Sequence, residues 1–335
     1  MDTTVDLRPQ NDSLKIGHLK DEVMQGKRIS REEALWLYEQ PLEELCGSAD
    51  EIRAHFCRDT FDICTIINGK SGRCSENCKF CAQSAHNHTK AEEYPLLSAE
   101  EIVAQAKKND EQGVLRYSIV TSGRRLSEEE VDRMCEAVRR IKKETDIEVC
   151  ISFGLLRQEQ YQKLKEAGVT RVHNNLETSR RNFPNICTTH SFEDKLEAIR
   201  AAQAAGLTVC SGGIMGLGET KEDRIDMAFT LRELGIESVP VNMLNPIPGT
   251  PFERNQRLTT QDMCRIVAVY RFILPKAFIR LAGGRGLFGD KGRSCFLAGA
   301  NAAISGDMLT TAGITVETDM ELLKDLGYVV RKESR

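Results

Sequence analysis

The 335-residue sequence predicts an α/β protein, a (βα)8 TIM-type barrel preceded by a helical N-terminal extension. Three observations carry this expectation. Apolar, strand-like runs recur near 62–69, 115–121, 147–153, 170–176, 207–213, 238–243 and 277–281, with a weaker eighth near 300–304, and helical stretches separate them. Four passages share one pattern, in which a Gly is followed directly by an apolar run: Gly113, Gly168, Gly206 and Gly235. Glycine there can take the left-handed conformation that closes a helix before the chain turns into a strand. Finally, no G-x-G-x-x-G loop follows the first strand, which disfavours an open doubly wound nucleotide-binding sheet. Repeated β-α units in this number favour closure into a barrel.

Taken in order, residues 1–60 read as helical. Ser30 is placed as an N-cap, and Glu33 three residues later completes a capping box. Residues 61–335 read as the barrel with a C-terminal helix, and no low-complexity linker divides them. Ser98 with Glu101, Ser127 with Glu130, and Ser191 with Asp194 mark three later helix starts. In a parallel barrel, residues at the C-terminal ends of the strands face the active site.

Composition narrows the function classes. A hydrophobic content of 40% supports one large core, and a net charge of −4 gives no electrostatic case for nucleic acid. No apolar run is long enough to span a membrane, and the polar opening Met1–Pro9 lacks the apolar core of a signal peptide. Twelve cysteines in such a chain point to a reducing cytoplasm and to metal chemistry, not disulfides.

The chemistry concentrates just after the first predicted strand. Cys74, Cys78 and Cys81 form a C-x3-C-x2-C run with Phe80 before the last cysteine. Three thiolates this close can hold three irons of a [4Fe–4S] cluster and leave the fourth iron open to chelate a small molecule. The competing reading is a zinc-stabilised binding scaffold. Zinc sites usually pair such cysteines with a second Cys or His pair, and the sequence shows no such pair nearby.

The run Ile67–Ser84, with its three cysteines and Phe80, resembles the signature of radical S-adenosylmethionine (SAM) enzymes, and in particular the biotin synthase family. Further segments carry the same resemblance: His173-Asn174-Asn175-Leu176-Glu177-Thr178-Ser179, Val209–Thr220, Pro240-Val241-Asn242-Met243-Leu244 and Ile279-Arg280-Leu281. It extends from about residue 30 to the C-terminus. It implies a (βα)8 barrel, usually homodimeric, that inserts sulfur into dethiobiotin. An open iron binds SAM, and one electron, from a donor such as flavodoxin or ferredoxin, cleaves it to a 5′-deoxyadenosyl radical. Two hydrogen abstractions per insertion require two SAM molecules. The resemblance also implies that Asn175 and Asn242 contact the ureido ring, with His173 where the family often has Asn. Asn175 and Glu177 would touch the SAM ribose, and Gly212 and Ile214 would lie along the adenine. Lys195 would face the SAM carboxylate in place of a family Arg. Asn suits a ureido group because it offers both a donor and an acceptor.

The family carries a second, auxiliary iron–sulfur cluster regarded as the sulfur donor, held by three cysteines and an Arg. Cys150, Cys210 and Arg280 match that pattern, but Ser118 stands where the third cysteine is expected. A serine oxygen is a poor substitute for thiolate at a soft metal. Two replacements suggest themselves. Cys64 lies on the first strand, adjacent to the strand of Ser118 and roughly 4.8 Å away. Cys187 lies in a loop after the fourth strand, higher toward the SAM face, and is the less favoured. Cys64, Cys150 and Cys210 with Arg280 resemble a variant group that is linked with anaerobes and thought to use a four-iron auxiliary cluster with an extra sulfide, in place of [2Fe–2S]. Cys46, Cys57, Cys135, Cys264 and Cys295 lack motif context and read as packing residues. The nearest enzymatic alternatives are small radical SAM barrels of the hydrogenase-maturation or methylornithine-forming type.

Overall fold

The computed structural model describes residues 8–331. Most of the polar start of the chain, read above against a signal peptide, lies outside the described residues.

Eight staves of parallel strand close into a barrel. They are β1 (Thr60–Lys70), β2 (Arg116–Thr121), β3 (Glu148–Ser152), β4 (Val169–His173), β5 (Thr208–Cys210) continued by β6 (Gly213–Met215), β7 (Ser238–Met243), β8 (Phe278–Leu281) and β9 (Ala302–Ser305). Each pairs with the next around the ring, and β9 returns to β1 in parallel register, Cys64 opposite Ile304. The weak eighth run therefore supplies the closing strand. A two-residue strand, β10 (Val329–Val330), adds to the start of β1 and had no counterpart in the apolar pattern.

The fifth stave is broken where the sequence reads Ser211-Gly212. A Cβ on Gly212 would lie 1.9 Å from the Pro240 carbonyl oxygen of β7, so only glycine fits. The loop after β4 uses the gap: Glu177 N–H donates to Gly212 O at 3.1 Å, and Ile214 N–H donates to Glu177 O at 2.9 Å.

The helices start where the capping chemistry placed them. Ser30 begins α2 (Arg31–Tyr38), Ser98 begins α4 (Ala99–Glu111), Ser127 begins α5 (Glu128–Glu144) and Ser191 begins α8 (Phe192–Ala204), each with a reciprocal capping box. Thr220 and Thr259 cap α9 (Lys221–Glu233) and α10 (Thr260–Ile273) in the same way. On α5, Val131, Met134, Cys135, Val138 and Ile141 are buried, the stripe that a 3.6-residue period directs toward the barrel. Burying each large aliphatic stabilises by roughly 1.5–3 kcal/mol. Gly113, Gly168, Gly206 and Gly235 all have φ between 66° and 118°, as helix closure before a strand requires.

The N-terminal extension supplies α1 (Arg8–Met24), α2 and α3 (Leu42–Cys57), with α3 packed on α10 outside the barrel. Beneath that contact Arg271 is fully buried. Its guanidinium donates to Gly299 O at 2.8 and 2.9 Å, to Ala277 O at 2.7 Å and to Asn301 Oδ1 at 2.8 Å. It thereby ties α10 to the segments entering β8 and β9.

Candidate active site

A cavity of about 410 Å3 occupies the barrel interior and is lined from all eight staves and the loop after β1. Its chemistry falls into three levels, set by whether a residue lies within a strand, at a strand end or in a loop beyond it.

Within the strands, Cys64 of β1, Cys150 of β3, Cys210 of β5 and Arg280 of β8 all line the cavity, as does Ser118 of β2. Ser118 is register partner of Cys150, whereas Cys64 pairs with Arg116, two residues earlier on β2. Cys64 and Cys150 lie within hydrogen-bonding reach of one another, and that contact raises the Cys64 thiol while lowering Cys150. Burial works against ionisation at Cys210. A hydrogen bond with His173 and the charges of His173, Arg280 and Arg171 overcome it and bring the thiol down to about 7.

Asp62 organises this level. Arg280 Nη2 donates to Asp62 Oδ1 at 2.7 Å, Arg116 Nε to Oδ2 at 2.8 Å and Arg171 Nη1 to Oδ2 at 3.4 Å. Burial alone would raise the Asp62 carboxyl, but three guanidiniums hold it well below the usual carboxylate range. One carboxylate against three guanidiniums leaves a positive surplus beside the three thiols. That surplus suits thiolates and an anionic iron–sulfur cluster. The sequence reading missed Asp62, Arg116 and Arg171. Their signal was present as charged residues inside otherwise apolar strands.

At and just after the strand ends, Asn175, Asn242, His173 and Glu177 border the cavity with Ile214, and Lys195 reaches it from the first turn of α8. Asn242 Oδ1 accepts from Gly283 N–H at 2.8 Å, and its Nδ2 donates to Gly213 O at 3.0 Å. Asn175 Oδ1 accepts from Gly212 N–H at 3.1 Å, and its Nδ2 donates to Glu177 Oε2 at 3.3 Å. Both amides are thus oriented by backbone, and each keeps hydrogen-bonding capacity for a ligand. Lys195 Nζ donates to Asn174 Oδ1 at 3.3 Å. Gly212 does not itself line the cavity; it lets the fifth stave approach β7.

Beyond the strands, Cys74, Cys78, Phe80 and Cys81 line the mouth. Asn87 Nδ2 donates to Cys78 O at 3.2 Å and Cys81 O at 2.8 Å, and Cys74 N–H donates to Gln83 O at 3.0 Å. The loop is therefore fixed by its own backbone. Three thiols bordering one cavity fit the three protein ligands of a [4Fe–4S] cluster with one open iron.

Cys187 sits elsewhere. It follows helix α6 (Gln158–Ala167) and then the short helix α7 (Phe183–Ile186), beside Cys78 and His190, and does not border the cavity. Cys64 is placed with Cys150 and Cys210, and Cys187 is not. The sequence reading found no second ligand pair near the cysteine run. The fold supplies one, Cys187-Thr188-Thr189-His190, whose Cys-x2-His spacing was visible but lay more than a hundred residues away.

Comparison with known proteins gives the family. Residues 70–231 match the Radical SAM superfamily, and residues 240–329 match the Biotin and Thiamin Synthesis associated domain. A biotin synthase of Brachyspira hyodysenteriae is 61% identical over 317 residues, 95% of each chain. One from Akkermansia muciniphila is 58% identical over 93% of this chain and 98% of its own. The chain belongs to the biotin synthase family. Among solved structures, a methylornithine synthase superposes with a TM-score of 0.82 at 22% identity, covering 94% of this chain and 97% of its own. A maturase of the [FeFe]-hydrogenase gives 0.78 at 18%, covering 97% and 79%. At these identities the likeness concerns the barrel alone, so the two alternative enzyme types share the fold, while the biotin synthase family is shared in sequence. No helix among the described residues is long and apolar enough to cross a membrane.

Proposed function

We propose that this radical SAM enzyme converts dethiobiotin to biotin, with Cys74, Cys78 and Cys81 holding the SAM-binding [4Fe–4S] cluster and Cys64, Cys150 and Cys210 holding the sulfur-donating one. The supporting observation is that both cysteine sets border a single cavity, one set beyond the strands and one within them, with Asn175 and Asn242 at the strand ends. Bound there, the cluster and SAM supply a primary alkyl radical capable of abstracting hydrogen from unactivated carbon.

The chain's own residues bind and orient. Asn175 and Asn242 present amides, fixed by Gly212, Gly213 and Gly283, to the ureido group. Glu177 and Lys195 would hold the ribose and carboxylate of SAM, and Ile214 would lie against the adenine. His173 holds the Cys210 thiol as well as bordering the substrate space. Arg280, fixed by Asp62 and by Ala303 O at 2.8 Å, would be a charge partner to the auxiliary cluster. The reading takes residues 61–335 as one catalytic unit with 1–60 as its extension. It includes a homodimer and an electron donor of the flavodoxin or ferredoxin kind.

Anaerobic incubation with dethiobiotin, SAM and a low-potential reductant tests the reaction. Biotin is the expected product, and SAM cleavage without biotin points to another radical SAM chemistry. Iron analysis of the reconstituted chain tests the auxiliary site: about eight irons support a four-iron cluster there, and about six a two-iron one.

A further inference from the structure

Cys187 and His190 are metal-ligating side chains that the proposed reaction does not use. We infer that Cys78, Cys187 and His190 form a site for one divalent ion of the ferrous or zinc class in the cluster-free chain, so that Cys78 holds a single metal before it joins the cluster.

Cys78 Sγ, Cys187 Sγ and a ring nitrogen of His190 all lie within 4.8 Å of one another, and Cys187 Sγ is 3.3 Å from His190 Nδ1. Tetrahedral coordination with metal–sulfur bonds of about 2.3 Å and metal–nitrogen bonds of about 2.0 Å needs ligand atoms a little under 4 Å apart, which small side-chain rotations supply. Two thiolates and an imidazole form a borderline-soft set that selects zinc or ferrous iron over magnesium or calcium. Glu76 Oε2 lies 2.6 Å from His190 Nδ1 and holds the ring beside the two thiols, and Glu76 is buried; the three side chains leave the fourth position to solvent.

The two halves of the site are locked together before any metal arrives. Asn77 Oδ1 accepts from Thr188 N–H at 2.9 Å, from Thr189 N–H at 3.2 Å and from the Cys187 thiol at 3.3 Å. One side chain of the cysteine run thus pins the whole Cys187–His190 segment beside it. Cys78 borders the cavity and Cys187 does not, so Cys187 approaches Cys78 from the protein side. It is placed to share Cys78, not to cap an iron facing SAM. The site requires only these residues; the assignment of Cys78 to the SAM cluster gives it its place in assembly.

The test uses the full chain, stripped by chelator under anaerobic conditions and carrying Cys74→Ala and Cys81→Ala to remove the other ligands of the run. Cobalt(II) is titrated in, and its thiolate charge-transfer and tetrahedral d–d bands are read. Adding Cys187→Ala or His190→Gln should remove one cobalt per chain or weaken its binding at least about tenfold, while Cys135→Ala leaves the titration unchanged. Circular dichroism melting confirms that each variant is folded. Unchanged cobalt stoichiometry and spectra in both folded variants would overturn the inference. Biotin formation is not read, so failure here is distinct from failure of the proposed reaction.

Discussion

Asp62 is the residue on which the barrel interior depends most. Three guanidiniums, those of Arg171 and Arg280 buried and that of Arg116 partly so, converge on one carboxylate, and removing its charge leaves them uncompensated. Asp62→Asn should therefore destabilise the cluster-free chain by about 3–5 kcal/mol, read from urea unfolding; a loss near zero would mean that water or a counter-ion already neutralises the group. The exchange of cysteine and serine between neighbouring strands makes a second prediction. Cys64→Ala should cost the reconstituted protein its auxiliary irons, leaving about four, whereas Ser118→Ala should leave the iron count unchanged. An intact auxiliary cluster in Cys64→Ala would sink the ligand assignment. Cys64 was legible because strand periodicity and strand adjacency are local rules. Asp62, Arg116 and Arg171 were not, because nothing local shows that a charge inside a strand will meet its partners across a closed barrel. The same holds for Cys187 and His190, which reach Cys78 only through the tertiary fold.

At the level of elements, the break in the fifth stave is held from both sides. The Pro240 carbonyl leaves no room for a side chain at Gly212, and a backbone oxygen has no flexible end to move aside. Gly212→Ala should cost roughly 3 kcal/mol, the upper part of the overpacking range. Gly286→Ala, with open space around it, should stay within about 0.5 kcal/mol. The segment after β4 is anchored by α9, whose Asp223 accepts from Ser179 Oγ at 2.6 Å and Arg181 Nε at 2.9 Å and from Thr220 N–H at 2.8 Å. Burial opposes ionisation of Asp223, yet these partners bring its carboxyl down to about 2. Because the folded value lies below the unfolded one of about 3.9, the contribution is complete above the unfolded value and is lost as pH falls toward the folded one. Acid unfolding of Asp223→Asn should lack a component of about 1–2 kcal/mol between pH 5 and pH 2, discounted for the exposure of Arg181. Helix starts were the most legible part of the fold, since Ser or Thr followed three residues later by Glu or Asp satisfies the first turn locally. The break at Ser211-Gly212 was read as continuous strand, because its cause lies on β7.

At the level of the whole molecule, β1 is the member that joins everything. It pairs with β2 and β9 to close the barrel and with β10 at its start. Tyr328, just before β10, donates through its hydroxyl toward Phe296 O at 3.2 Å and Ala300 O at 3.1 Å, and its ring stands edge-on to Phe61 with centroids 5.2 Å apart. Tyr328→Phe should cost about 1 kcal/mol and Tyr328→Ala about 3–5 kcal/mol, measured by thermal unfolding. Equal effects of the two would place the whole contribution in the hydroxyl. The same strand carries Cys64 within the barrel and delivers the chain to Cys74 at its mouth. On the proposed assignment, β1, at about 3.3 Å per residue, is a ruler between sulfur donor and radical source. Inserting one residue between Cys64 and Lys70 would turn the strand's faces over, and inserting two would restore the faces but shift one metal site against the other by about 6.6 Å. If that assignment holds, hydrogen abstraction would then proceed with the sulfur out of reach, and the length of a single strand would set whether the two half-reactions meet on the same carbon.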